Sequence, residues 1–448
     1  MAVQPHNGHQ NGPGITRIAV AGFKSLATKT DVEIRPLTVL AGANSSGKSS
    51  LMQPLLLMKQ TFDNERIPPG PFWLRGEQVG FDTAEQFLSK GASEPERRLT
   101  IELEAENNWA ELSFGKEATS DLEVVATASK DASDGRIWQL NRDSSQEALR
   151  DLYISVVSRQ EELFVPTDFT VHPDRCFLGV GIRFPEDTIV PTFHRPEINR
   201  LRRKIQDMIH VSGLRGSDER EFYLHGLPLG TAFPGDFEEY VPSILEAWKD
   251  ATKYANGLRY LHDLRSGLQL LELASGVETQ KLNESKLEVL IPRTLRGDPK
   301  DLVNIADVGS AVSQILPVLV ALLLASSNQL VYIEQPELHL HPRAQWNLAQ
   351  LLADAANRGV RLVVETHSSL LLQGILTCVA KGAITPDNVA LHWFSRDEKG
   401  VTKVTTADID AEGRFGDWPA DFDDVELEAT NDYLDAVEAK LMAGKGAT

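Results

Sequence analysis

The sequence predicts an α/β fold: a mixed sheet flanked by helices, assembled from both ends of the chain, with an α+β middle lobe inserted between them. Three observations carry this. Near the N-terminus an apolar strand pattern, LTVLAG, runs into GANSSGKSS and then into the helical pattern SSLMQPLLLMKQTF. From Val303 a regular helix–strand alternation returns: SQILPVLVALLLA, QLVYIE, RAQWNLAQLLADAANR, VRLVVET. Between the two, short strands such as RRLTIELEAE and DLEVVATAS mix with helical pieces such as PEINRLRRKIQDMIH and FEEYVPSILEAWKDATKYA. Short continuous apolar runs separated by helical spacing mark strands buried on both faces.

In chain order, residues 1–14 read as a disordered polar tail, Gly/Pro/His/Asn-rich and without the apolar core of a signal peptide. Residues 15–115 are expected to form the first part of the main α/β unit, here called the head, opening with the strands ITRIAVAGFKSL and DVEIRPLTVLAG. Residues 116–260 form the inserted lobe, 261–400 the second part of the head, and 401–448 an acidic extension with aromatic tips. No internal repeat and no sustained heptads are present.

Composition narrows the setting. Apolar residues make up 42% of 448, too many for general disorder. The formal net charge of −19 repels nucleic acid and anionic membranes, so any such contact needs a local basic groove. Two cysteines form no disulfide framework and fit a reducing cytoplasm. The longest apolar run, Ile315 to Ala325, is too short to span a bilayer.

The segment Gly42 to Ser49 fits G-x-x-x-x-G-K-[ST] in full, after a strand and opening a helix. The glycines let backbone amides converge, so Gly42, Asn44, Ser45, Ser46, Gly47 and Ser50 are expected to line a phosphate cradle. Lys48 supplies a point charge to the β- and γ-phosphates, and the Ser49 hydroxyl can ligate Mg²⁺. The cofactors expected are therefore ATP and Mg²⁺. Downstream, the apolar strand LVYIE ends in Glu334, where P-loop proteins place the carboxylate that holds Mg²⁺ through its water shell. A second apolar strand, RLVVETHSS, presents His367 at its end.

GFKSL, IEQPELHLHPRAQ and ETHSSLLL resemble the SMC/RecF/OLD branch of ABC-type P-loop ATPases, OLD-like without a Toprim nuclease domain, and DVGSAVSQILPVLVALL resembles their signature segment. The tail pattern at Gly413, Trp418, Pro419 and Phe422 resembles that of bacterial predicted ATPases of the AAA family. The resemblance is specific over about residues 15–60 and 300–425, and thinner between, where HVSGLRGSDER matches best.

The resemblance implies an ABC-type head that forms a homodimer on ATP. Ser313, with Gln314, would meet the γ-phosphate bound by the other copy. Ser313 would also be the N-cap of its helix. His367 would be the switch histidine. Two departures stand out. Gln335 occupies the position of the water-polarising glutamate; a carboxamide orients water but takes no proton, so turnover is expected to be slow, with Glu337 and His367 the nearby substitutes. Ser310-Ala311 replace an expected glycine. The metal-contacting glutamine is assigned to Gln86, with Gln78 the alternative.

The run HRPEINRLRRK gathers Arg195, Arg200, Arg202, Arg203 and Lys204. It reads as a solvated face paired with the protein's own carboxylates, or else as a grip on nucleic acid or an acidic partner. His339 and His341 alternate near Glu337, but their loop is the one the resemblance turns toward the partner copy. The leading expectation is an ATP-driven switch acting on a separately encoded nuclease or toxin in bacterial anti-phage defence. The alternatives are a RecF-like DNA-repair ATPase and a non-hydrolysing nucleotide-binding scaffold.

Overall fold

The computed structural model describes residues 14–64, 66, 70–90, 97–116, 122–130, 135–157, 166, 168–184, 189–215, 219–228, 231–250, 252, 254–294 and 301–415. Strands β1 (Ile15–Ala21), β2 (Thr30–Glu33) and β3 (Leu37–Gly42) lead into helix α1 (Lys48–Asp63). There follow β4 (Arg98–Ala105), β5 (Asn108–Lys116), β6 (Leu122–Lys130), β7 (Ile137–Asn141) and α2 (Gln146–Val157). Next come β8 (Asp168–Asp174), β9 (Phe177–Arg183), β10 (Ile189–Phe193), α3 (Pro196–Gln206) and β11 (Ile209–Val211). Beyond lie β12 (Phe222–Tyr223), α4 (Val241–Trp248), α5 (Gly257–Leu270), β13 (Glu278–Lys281), β14 (Lys286–Pro292) and β15 (Leu302–Asn304). The last described part runs α6 (Ser310–Leu324), β16 (Leu330–Glu334), α7 (Pro342–Asn357), β17 (Arg361–Thr366), α8 (Ser369–Ala380), β18 (Val389–Arg396), β19 (Thr402–Ala407).

The central sheet has the order β11-β16-β17-β3-β18-β19. Its strands are parallel through β18, and β19 returns antiparallel. All six residues of β3 are buried, the reason its sequence is apolar without alternation. Leu37, Val39 and Ala41 of β3 enter one core with helices α4 to α8. Leu40 enters a second core with α1, α3 and a six-stranded antiparallel sheet of order β2-β1-β4-β5-β6-β7. The carboxyl ends of β16, β17 and β3 lie side by side, the edge at which parallel α/β sheets gather ligand-binding loops.

The expected mixed sheet with flanking helices, drawn from both ends of the chain, is the observed one. The limit at 115/116 falls within β5, one residue before its end, and β5 pairs with β6 in one sheet. The limit at 260/261 falls inside α5, and that at 400/401 lies in the turn joining β18 to β19. From within 116–260, β11 forms the edge of the central sheet. Strand pairing is set by register with distant partners, which composition does not reveal. Residues 1–13, and Trp418, Pro419 and Phe422 of the tail pattern, lie outside the described residues.

Candidate functional site

The loop between β3 and α1 owes its shape to positions that exclude a side chain. Gly42 has φ +142°, and a Cβ there would lie 2.1 Å from the Phe394 carbonyl oxygen. Gly47 has φ +106°, and its Cβ would meet the Thr402 hydroxyl at 2.3 Å. Ser45 also takes positive φ. Gly47 caps α1 without a side-chain hydrogen bond, which leaves the first amides of a 16-residue helix for an anion. Asn44 and Ser45 are exposed at the mouth, whereas Ser46 and Ser50 are buried beneath it.

Lys48 is buried and points back into its own loop. Its Nζ donates to the carbonyl oxygens of Gly42 (3.0 Å) and Ala43 (2.8 Å), with Ser46 Oγ at 3.5 Å. Burial lowers its pKa, opposed by the charges of Glu365 and Glu337. An ammonium held by loop oxygens can exchange them for phosphate oxygens without further desolvation.

The acidic side of the site lies one and two strands away. Glu334 and Glu365 are register partners across β16 and β17. Ser49 Oγ donates to Glu365 Oε1 at 2.9 Å, and Tyr332 Oη donates to Glu365 Oε2 at 2.9 Å. Glu334 Oε1 lies 3.2 Å from His210 Nε2, and Glu334 Oε2 accepts from the Gly213 amide at 3.3 Å. The His210 ring stacks on Tyr332 with centroids 5.2 Å apart. Burial raises the Glu365 carboxyl, against the Ser49 hydrogen bond. For Glu334 burial also pushes upward, but His210, Tyr332 and Gly213 together bring its pKa below the ordinary value. Hard oxygen donors around the P-loop serine suit Mg²⁺.

Beyond Glu334 the chain turns sharply. Gln335 has φ +43°, and its amide donates to the Glu365 carbonyl at 2.7 Å. Arg215, buried, fixes this turn: it donates to the carbonyls of Glu334 (2.5 Å), Gln335 (2.8 Å), Ser212 (2.6 Å) and Gln314 (2.7 Å). Burial brings its pKa down to about 10. Glu337 is buried; its Oε1 accepts the His367 amide at 2.9 Å, while its Oε2 has no hydrogen-bond partner. Burial raises the Glu337 carboxyl, against the His367 amide. Burial and the Lys48 charge lower the pKa of the His367 imidazole, against a hydrogen bond to the backbone at Gly42, so the ring is neutral at physiological pH.

The family model that matches residues 37–171 and 230–373 is described as "AAA domain, putative AbiEii toxin, Type IV TA system". The chain belongs to this family. A second model, a protein family of unknown function, DUF3696, matches residues 384–429. No curated protein matches the chain. Among solved structures it is similar to an Smc head bound to the C-winged-helix domain of ScpA, at 13% identity over 89% of this chain and 98% of that one, TM-score 0.44. It is also similar to an SMC head domain from Thermotoga maritima, at 12% identity over 88% and 98%, TM-score 0.36. A third is the Smc head domain with an extended coiled coil bound to the C-terminal domain of ScpA from Pyrococcus furiosus, at 10% identity over 95% and 100%, TM-score 0.41.

Membership in this AAA family makes the loop at Gly42–Ser49 part of an ATPase domain. Not every expected residue joins it. Ser313 does not cap α6: Gly309 holds that position, and Ser313, half-buried in the first turn, donates to the Ser310 carbonyl at 3.0 Å. Gln314 is buried, its side-chain oxygen 3.4 Å from the Arg215 amide. Gln86 is exposed and accepts from the Asp82 amide at 2.7 Å, while Gln78 donates to the Gly235 carbonyl at 2.9 Å.

The basic run is largely committed. Arg195 is buried against Glu197 and donates to Ser155 at 2.9 Å; Arg202 pairs with Asp174 at 3.4 Å and Lys204 with Glu106 at 3.0 Å. The guanidiniums of Arg200 and Arg203 donate to the carbonyls of Pro196 and Asn199 on their own helix. Residues that sequence reading missed are Glu365, Tyr332, His210 and Arg215. The last two lie in HVSGLRGSDER, the one signal that pointed at that segment.

Proposed function

We propose that the chain is an ATP-binding and ATP-hydrolysing head that pairs with a second copy across bound nucleotide. In this reading it switches a separate effector, a nuclease or toxin, in cytoplasmic defence against phage. The observation that carries it is the convergence at one sheet edge of a buried lysine held by exchangeable loop oxygens, a P-loop hydroxyl bonded to a carboxylate, and a buried carboxylate oxygen without a partner. Lys48 and the first amides of α1 bind the phosphates. Ser49 and the acids beside it would hold Mg²⁺, which would supply positive charge to offset that of the phosphates. Gln335 orients the attacking water, and the unpartnered Glu337 oxygen accepts its proton. His367, whose ring bonds to the backbone at Gly42, would turn its one imidazole proton from that carbonyl to the γ-phosphate.

Pairing is supported by Ser313, whose hydroxyl stands exposed on the first turn of α6. There it can complete the charge cage on the open side of the other copy's γ-phosphate. The defence setting is supported by the toxin named in the family description. Direct action on DNA is disfavoured by the net charge of −19 and by the basic run's internal pairing. The scaffold reading draws on Gln335 alone. The test is ATP turnover by purified protein, with and without duplex DNA, beside Lys48→Ala. Slow turnover that DNA does not change, lost in the variant, is expected. DNA stimulation overturns the switch in favour of repair, and absence of turnover leaves the scaffold.

A further inference from the structure

We propose that Glu365, not Glu334, is the carboxylate that directly ligates the nucleotide's divalent cation together with Ser49, with Glu334 acting at one remove through water. This rests on the reading of the loop as a nucleotide site and names the metal-holding residue within it.

Both oxygens of Glu334 already face donors, His210 Nε2 and the Gly213 amide. In Glu365 only Oε2 is engaged by a fixed donor, the buried Tyr332 hydroxyl. That bond leaves Oε1 aimed at Ser49, where its contact is the serine hydroxyl at 2.9 Å. Adjacent oxygens of an octahedral magnesium, each about 2.1 Å from the ion, lie about 3 Å apart. Ser49 Oγ and Glu365 Oε1 therefore stand at the spacing two neighbouring ligands need. The cation requires only that the hydroxyl proton rotate away and a lone pair replace it. Tyr332 is the supporting residue: buried, stacked against His210, it fixes the carboxylate plane as outer partners of metal ligands do. The register pairing of Glu334 with Glu365 brings the two acids together, and a bound dication relieves their mutual repulsion.

The test measures Mn²⁺ binding by electron paramagnetic resonance in the presence of a non-hydrolysable ATP analogue, and analogue binding in EDTA by calorimetry. Glu365→Gln should weaken Mn²⁺ by about 10–100-fold or more, on the scale seen when metal-site partners are lost. Analogue affinity in EDTA should stay within about twofold of wild type. Glu334→Gln should weaken Mn²⁺ less. Tyr332→Phe, which keeps both carboxylates, should give a smaller loss and serves if Glu365→Gln does not fold. Wild-type Mn²⁺ affinity in both Glu365→Gln and Tyr332→Phe, or a larger loss in Glu334→Gln, overturns the assignment. Equal loss of analogue binding in EDTA makes Glu365 structural and overturns it too. If the wild type binds no analogue at all, the nucleotide reading itself fails, a result distinct from these.

Discussion

In the proposed reading Gln335 orients the attacking water and Glu337 accepts its proton, and each role can be tested alone. Gln335→Glu should raise turnover about 10–100-fold, since a positioned base contributes about 10²–10⁴-fold and orientation already supplies part of that. It should also shorten the life of the ATP-joined pair; steady-state phosphate release beside dimer lifetime reads both. Glu337→Gln should lower turnover and, separately, change stability with pH. Burial raises the Glu337 carboxyl in the folded state. Its contribution is therefore fully present below the unfolded carboxylate pKa and is lost as pH rises through the folded value. The variant escapes that loss, so its Tm should exceed wild type at neutral pH, and the gap should close on acidification. A gap that persists at low pH would place the effect elsewhere. At this scale the strand–loop–helix shape at Gly42–Ser49 was legible because its pattern is dense and bounded by strand and helix. Glu365 was not, because one acid before a histidine has no distinguishing spacing until β17 is seen to lie between β3 and β16.

Helix α6 and strand β16 share a core, and one side chain also ties the end of the strand to the helix. Arg215 donates to carbonyls at the end of β16 and at Gln314 in α6, so it ties the turn carrying Gln335 to the helix carrying Ser313. Arg215→Ala strands buried carbonyls, each costing about 1–3 kcal/mol, and should destabilise by about 3 kcal/mol or more in urea unfolding. Arg215→Lys should rescue little, since an ammonium lacks the planar fork. Full stability in the alanine variant would mean that water replaces the guanidinium without loss. On the exposed first turn of the same helix, Ser313→Arg should leave ATP binding intact and block ATP-dependent pairing, as followed by size exclusion with light scattering. Pairing like wild type would put the interface on another face. The helices here were readable from apolar spacing, but the three-residue β11 carries no periodic signal. The cap of α6 was misplaced because Gly309, without a side chain, takes the position expected of serine.

Across the whole molecule, charge and connectivity dominate. A chain of net charge −19 whose arginine run is paired internally should show no salt-sensitive retention of duplex DNA in filter binding or anisotropy at physiological ionic strength. Tight, salt-dependent binding would restore the repair reading. The alternation of strands and helices at both ends made the central sheet predictable. The antiparallel sheet was legible only as separate strands, because β1 pairs with β4 across the phosphate-loop helix and no local pattern encodes that register. The same connectivity bears on how the molecule matures during synthesis. Strand β3 is flanked by β17 and β18, and the loop before it is tied through Arg35 to the Val389 carbonyl, 354 residues away along the chain. Until the ribosome has made residues 361–396, the strand that feeds the phosphate loop has no neighbours on either side. A nascent chain therefore carries the nucleotide motif long before it can use it, and a ribosome-bound fragment ending ahead of β17 should be blind to ATP.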